Sequence, residues 1–297
     1  MNGRFATYAG RYFAFLLVGP APLSAAMAID LEPLWNFSQP ELSEQRFRAA
    51  LAGASRDDAL ILQTQIARSV GLRGDFTRAQ QILKGVEADV ASASIEARVR
   101  YELEFGRTLA SAKHSDESQT PEVRRQARER YLRAFELAKG GQLDALAIDA
   151  LHMLAFVDTA PSDQLKWGEQ ALAIALASTQ PAGRKWEASL RNNIGYALHR
   201  LQRYQEALAQ FQQAVPLRER ADDAEATRAA HWMVAWTLRA LNRLDEALAI
   251  QLRLERECDA AGVPDPYVFD ELEALYRARG DDVRADGYAK KRKQLTR

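Results

Sequence analysis

Beyond residue 40, apolar side chains recur at three- and four-residue spacing, the pattern of helices that bury one face. No alternating stretch of useful strand length interrupts them. Breaks fall at Gly74-Asp75, Pro121, Gly140-Gly141, Pro161, Pro181, Pro264 and Gly280, residue types that stop or restart helices. Between Pro121 and Pro181 they come about every 20 residues, the length of one helix with its turn. The chain therefore reads as all-α, helix after helix. The segment Trp35 to Glu41 reads as a helix start, with Ser38 as N-cap and Glu41 three residues on. Phe47 and Leu51 on that helix would cover the open end of whatever follows.

The pattern also repeats. Leu201-Gln202-Arg203-Tyr204-Gln205-Glu206-Ala207-Leu208 aligns with Leu241-Asn242-Arg243-Leu244-Asp245-Glu246-Ala247-Leu248 at a shift of 40 residues, and the same step backwards lands on Trp167 and Ala127. In the preceding helices Leu154-Ala155, Ile194-Gly195 and Val234-Ala235 pair a large apolar residue with a small one, and Asp158, Leu198 and Leu238 follow three positions on. Small residues there let two helices approach closely. Four positions after the alanine column come Tyr131, Ala171, Phe211 and Gln251, then Ala134, Ile174, Ala214 and Leu254, a mostly apolar stripe. Trp167 and Asp158 depart from their columns.

Ile194-Gly195, Leu198, Ala207, Phe211 and Ala214 resemble the tetratricopeptide repeat, with Arg191 standing where that family favours Trp. A good early copy uses Ile66-Ala67, Val70, Phe76, Ala79, Leu83 and Val86. Phe105-Gly106 and Leu109 pair with Ala127 and Tyr131 across a polar insert, Ala112 to Thr120, after which Thr120-Pro121 restarts the helix. A final copy uses Leu272, Tyr276, Ala285 and Ala289, with Glu273 in a small-residue slot. The resemblance implies a right-handed α-solenoid of about six helix-turn-helix units over residues 55–297, behind a capping segment, 29–54. The units are long, about 40 residues, as in kinesin-light-chain-like members of the superfamily.

The same resemblance implies a concave groove lined by the first helix of each unit, and with it a protein or peptide partner. Transferred unit by unit, the groove holds Thr64 and Arg68, then Arg100, Glu104 and Arg107, then His152 and Phe156. Asn192, Asn193, Tyr196, His199 and Arg200 follow, then Trp232, Met233, Trp236 and Arg239, and lastly Asp270. Such a groove is basic at its N-terminal end and aromatic toward its C-terminal half, which suits an extended segment carrying carboxylates and apolar side chains. Lys is absent from these positions, so the family's clamp for a C-terminal carboxylate is not reproduced. Plainer readings stay open: Trp232 and Trp236 sit one helical turn apart and also fit simple packing, and Arg outnumbers Lys 32 to 8 along the whole chain.

Composition narrows the alternatives. Of the 297 residues 53 are Ala and only 8% are aromatic, which favours close-packed helices over a sandwich of strands. Forty basic and forty acidic residues cancel, so no overall field draws the protein to nucleic acid or an anionic membrane. Residues 1–28 read as a signal peptide: Arg4 and Arg11 precede an apolar run, Tyr12 to Gly19, and Ala26-Met27-Ala28 offers a cleavage site. Cleavage implies a periplasmic or secreted protein without stable membrane insertion. The alternative is translation from Met27 and a cytoplasmic protein.

Chemistry is sparse. His114, His152, His199 and His231 lie in separate elements, none in a metal-binding motif, and Asp149, one turn before His152, reads as part of a solvated pair. The lone Cys258 excludes an internal disulfide and has acidic neighbours that disfavour a thiolate. No glycine-rich phosphate loop, nucleophile elbow or catalytic carboxylate pair stands out, and Asp222, Asp223 and Glu225 cluster at a helix start. The reading is a non-enzymatic interaction scaffold that needs no cofactor or metal. An enzyme using dispersed histidines and carboxylates, or a helical-repeat RNA binder, is the alternative.

Overall fold

A computed structural model describes residues 29–221 and 223–295; the expected signal peptide lies outside the described residues. Among the described residues all regular structure is helical. A short helix α1 (Pro40–Ala50) precedes six consecutive helix pairs. They are α2 (Arg56–Leu72) with α3 (Phe76–Val90), α4 (Ile95–Leu109) with α5 (Pro121–Gly140), and α6 (Asp144–Val157) with α7 (Pro161–Ala177). After a single turn, α8 (Pro181–Arg184), come α9 (Glu187–Arg200) with α10 (Tyr204–Arg220), α11 (Ala224–Ala240) with α12 (Leu244–Ala260), and α13 (Pro266–Ala278) with α14 (Asp282–Leu295). No described helix is long and apolar enough to cross a membrane.

Local chemistry sets the boundaries. Ser55, Asp75, Ser94, Thr120, Asp223 and Asp265 each accept a hydrogen bond from a backbone N–H in the first turn of the helix they precede. Gln202 and Asn242, forty residues apart, both take left-handed backbone, φ 59° and 58°. Each is followed by the same closing bond, Arg203 N to Leu198 O and Arg243 N to Leu238 O, both 2.9 Å. Gly74 and Gly280 serve the corresponding turns of the first and last pairs at φ 86° and 77°. Ser38 is not the cap expected for α1. Its hydroxyl donates to Asn36 Oδ1, and the chain is fastened instead by Asn36 N donating to Ser43 Oγ at 2.7 Å, so that the helix opens at Pro40.

Close approach of paired helices is what the small-residue columns provide. A Cβ built on Gly195 would lie 2.6 Å from the Phe211 ring, and one on Gly106 would lie 2.6 Å from the Tyr131 ring. Where the facing slot holds the smaller Ala171 or Gln251, the small slot is Ala155 or Ala235. The two departures, Asp158 and Trp167, face each other: Trp167 Nε1 donates to Asp158 Oδ2 at 3.0 Å, and Arg128 pairs with the same oxygen at 3.1 Å. Glu273, the charge in the last unit's small slot, is taken up by Arg277 and Arg292. Apolar burial runs from pair to pair, with one cluster extending from Val99 to Leu275, and Phe47 of α1 with Leu51 just after it close its neighbour at the N-terminal end. The stack is curved. Glu32, ahead of α1, lies 3.2 Å from Lys185 just before α9, although three helix pairs separate them in sequence.

Gly195→Leu is expected to overpack the α9–α10 contact and cost about 1–3 kcal/mol, whereas Gly85→Ala, which meets nothing within 4 Å on α3, gains about 0.5–1 kcal/mol from helix propensity. Thermal unfolding of the two variants checks this. A neutral Gly195→Leu contradicts the register.

Candidate functional site

The first helices of the pairs, α2, α4, α6, α9, α11 and α13, form one layer, and every neighbouring two are joined by side chains. Arg68 on α2 approaches Glu104 on α4 at 3.7 Å. Arg107 on α4 grips both oxygens of Asp149 on α6 at 2.5 and 2.6 Å and also pairs with Glu104 at 2.6 Å. Asn193 on α9 donates Nδ2 to His152 Nδ1 on α6 at 3.2 Å. Tyr196 on α9 stacks on Trp236 of α11, with ring centres 6.0 Å apart. Arg239 on α11 is bidentate to Glu271 on α13 at 2.5 and 3.0 Å, and Trp232 Nε1 donates to the Tyr267 carbonyl at 3.0 Å.

This seam cancels the positive charge read into the N-terminal half of the groove. Arg107 is held between two carboxylates, and Arg100 is folded onto Glu96 of its own helix at 2.8 Å. Burial favours the neutral forms of Arg107 and Asp149, but the opposite charges outweigh it: Arg107 stays protonated and the Asp149 carboxyl titrates below its usual range. Asp149 is thus a buried strut and not half of a solvated pair with His152. Arg68 keeps a buried Nε without a partner, as does Glu104 with Oε2. Its guanidinium lies 5.3 Å from the Trp35 ring and 5.6 Å from that of Phe37, two rings brought in by the N-terminal segment.

Three hollows follow the layer. Arg68, Arg107, His152 and Phe156 line the first, of about 290 Å³, together with Phe76 and Trp186. His152, Phe156, Asn192, Asn193 and Tyr196 line the second, of about 220 Å³. Trp232 and Met233 line the third, about 770 Å³, with Cys258 and Tyr267. Trp236 stands between Tyr196 and Trp232, its ring centre 5.8 Å from that of Trp232, and Arg200 is exposed with one N–H on the Gln164 amide at 3.1 Å. Thr64 is fully buried, its hydroxyl spent on the Ile61 carbonyl, so it faces no groove. Asp270 is ion-paired with Arg292.

Trp186, Glu271 and Tyr267 are the contributors the repeat register misses. Trp186 precedes α9 in a turn that exists in no other unit, and Glu271 becomes visible only as the partner of Arg239. His152 and His199 are kept neutral. Burial depresses both, against the pull of Asp149 on His152, and with the help of Arg239 it takes His199 to about 4. Cys258 is buried, and that burial raises its thiol. Among the described residues no group of His, Cys, Asp and Glu has the arrangement to hold a metal ion.

A curved stack of helix pairs with small residues at most crossings and an aromatic inner layer defines the class of helical-repeat solenoids. Residues 186–255 match the tetratricopeptide repeat family, and the helix pairs along the chain are tetratricopeptide-like repeats. Among solved structures it is similar to a signal transduction ATPase with numerous domains from Pyrococcus horikoshii that carries a tetratricopeptide repeat sensor: TM-score 0.65, 15% identity, 86% of this chain and 39% of that one. This chain therefore spans about two fifths of that protein's length. It is also similar to nearly identical repeats from a Podospora anserina protein described as a kinesin light chain (TM-score 0.53, 17% identity, covering 70% and 99%). A third similar structure is the apo form of RapI (TM-score 0.51, 12% identity, 84% and 89%). Comparison with curated proteins gave no significant match. At these identities the shared property is the fold.

Two measurements test the electrostatics. Arg107→Leu takes the ion-pair partner from the buried Asp149 and leaves Glu104 with Arg68, and it is expected to cost about 3–5 kcal/mol in chemical denaturation; a cost under about 1 kcal/mol contradicts the strut. For His199, the unfolded imidazole gains its proton below about pH 6.5 and the folded one only near about 4. Across that window the unfolded chain binds more protons, so stability falls as pH drops. His199→Phe is expected to flatten that fall, read as Tm against pH, while an unchanged slope counts against a neutral His199.

Proposed function

We propose that the protein is a non-enzymatic interaction scaffold that holds an extended segment of a partner protein along its inner helix layer. The observation that carries this reading is the run of half-exposed rings, Phe156, Tyr196, Trp236 and Trp232, on three successive inner helices. Large rigid rings give contact area at small entropic cost and dominate binding energy where they occur. The charged groups beneath them are already paired, so the layer presents apolar faces and hydrogen-bond donors in place of reactive groups. The repeats of the similar Pyrococcus protein are described as a sensor.

The test is affinity for the protein recovered with this chain from its native source, measured with single substitutions. Trp236→Ala is expected to weaken binding by about 1–2 kcal/mol or more, with smaller losses for Trp232→Ala and Arg200→Ala. Substituting Arg125, exposed on the outer helix α5, is expected to leave affinity unchanged. Equal affinity across all the inner-layer variants rejects the groove.

A further inference from the structure

The inner layer between α6 and α11 is unusual in what it offers. Tyr196, Trp236 and Trp232 follow one another at 6.0 and 5.8 Å with ring planes only 22° and 21° apart, and His199 stacks on Trp236 from the other helix at 3.3 Å. Tyr196 is 44% exposed and Phe156, at the next step of the layer, 38%. Between Phe156 and Tyr196 lies the hollow of about 220 Å³, walled by Ala155, Gly168, Asn192 and Asn193. At about 30 Å³ per water this holds roughly seven water molecules' worth of space, a compartment on the scale of one or two residues of a bound chain.

Its hydrogen-bonding groups are few. The carboxylate near the ladder, Glu271, is consumed by the two-pronged contact with Arg239, and the imidazole of His152 already accepts from Asn193. What remains at the surface includes two groups that only donate, the Trp236 indole N–H and the remaining N–H groups of Arg200, beside the Tyr196 hydroxyl and the Asn192 amide, which donate as well as accept. Arg239 is neutralised by Glu271 and His199 is uncharged, while Arg200, bonded through one N–H to the neutral Gln164 amide, brings a positive charge to this strip. The complement of an aromatic strip carrying such donors is a segment with apolar rings and many free carbonyls.

Proline-rich chain in the polyproline II conformation has those properties. Its backbone has no internal hydrogen bonds, its carbonyls point outward, its prolines lack N–H, and it is already extended before binding. One turn is three residues and about 9 Å, so three rings spaced at 6.0 and 5.8 Å cover little more than one turn. Aromatic-lined grooves are a general solution for holding this conformation. A sugar polymer also stacks on aromatic rings, but it presents hydroxyls in place of the outward carbonyls that the Trp236 and Arg200 N–H groups can bind.

We propose that the Phe156–Tyr196–Trp236–Trp232 strip is a recognition site for a proline-rich, polyproline II segment, with prolines on the rings, one ring in the hollow between Phe156 and Tyr196, and carbonyls on Tyr196, Trp236 and Arg200. This rests on the reading of the inner layer as the binding surface and names the chemistry of its partner. The probe is synthetic decaproline, titrated into the full chain by tryptophan fluorescence and by calorimetry, with a Gly-Ser decamer as control. The expected result is saturable binding of decaproline only, weakened at least about tenfold by Trp236→Ala, and weakened also by Tyr196→Ala, whose exposed ring can be removed without opening the core. Circular dichroism confirms that both variants are folded. Three results overturn the proposal: no binding of decaproline, binding that survives both substitutions, or preferential binding of a cello- or malto-oligosaccharide on the same rings. If the native partner's affinity depends on Trp236 while decaproline neither binds nor competes, the scaffold reading stands and the proline assignment falls.

Discussion

The architecture depends on one steric constraint: two helices of a pair must come close enough that a side chain on one fills a gap left by the absence of a side chain on the other. Gly195 beneath Phe211 and Gly106 beneath Tyr131 are the tightest cases, with no room for even a methyl group. A helix pair of this size cannot bury its apolar faces alone, so the contact has to be repeated along the chain until each pair is covered by its neighbours. Curvature follows from stacking the same unit with the same small rotation. It brings Glu32 to Lys185 and gathers the first helices into an inner layer.

That layer is stabilised differently from the core behind it. Within pairs the contacts are apolar and set by size, whereas between inner helices they are ion pairs, amide bonds and ring stacks. Arg107 with Asp149, and Arg239 with Glu271, fix the spacing of neighbouring units while neutralising the groove they line. Charges taken partly out of water are costly unless paired, which is why nearly balanced surroundings accompany an Arg-rich inner surface. The rings of Tyr196, Trp236 and Trp232 are left as the accessible part.

Much of this was legible in the sequence. The 40-residue step between Ala207 and Ala247 and the recurring large-small pairs gave the helix pairs and their register, because close packing restricts those positions to a few residue types. Turns at Gly74 and Gly280 and the Thr120-Pro121 start were readable from backbone chemistry alone. What periodicity does not carry is compensation. Asp158 and Trp167 looked like two errors in the register and are one hydrogen bond. Asp149 looked solvated because its partner, Arg107, lies a whole unit earlier. Ser38 looked like a helix cap, but Ser43 reaches back to Asn36 and the cap position moves by one residue to Gln39, with the helix opening at Pro40. The inner-layer positions were located by the repeat, whereas their mutual pairing, and with it the loss of the groove's positive end, required the three-dimensional neighbours.

Hydroxyl-radical footprinting of the chain, free and saturated with its partner, tests the central claim most directly, since it reads side-chain exposure on both faces at once. Protection of Phe156, Tyr196, Trp232 and Trp236, with no change at Tyr204 or other outer-helix residues, is the result this account requires. Protection confined to α5, α7, α10 and α12, with the inner rings as reactive as before, contradicts it.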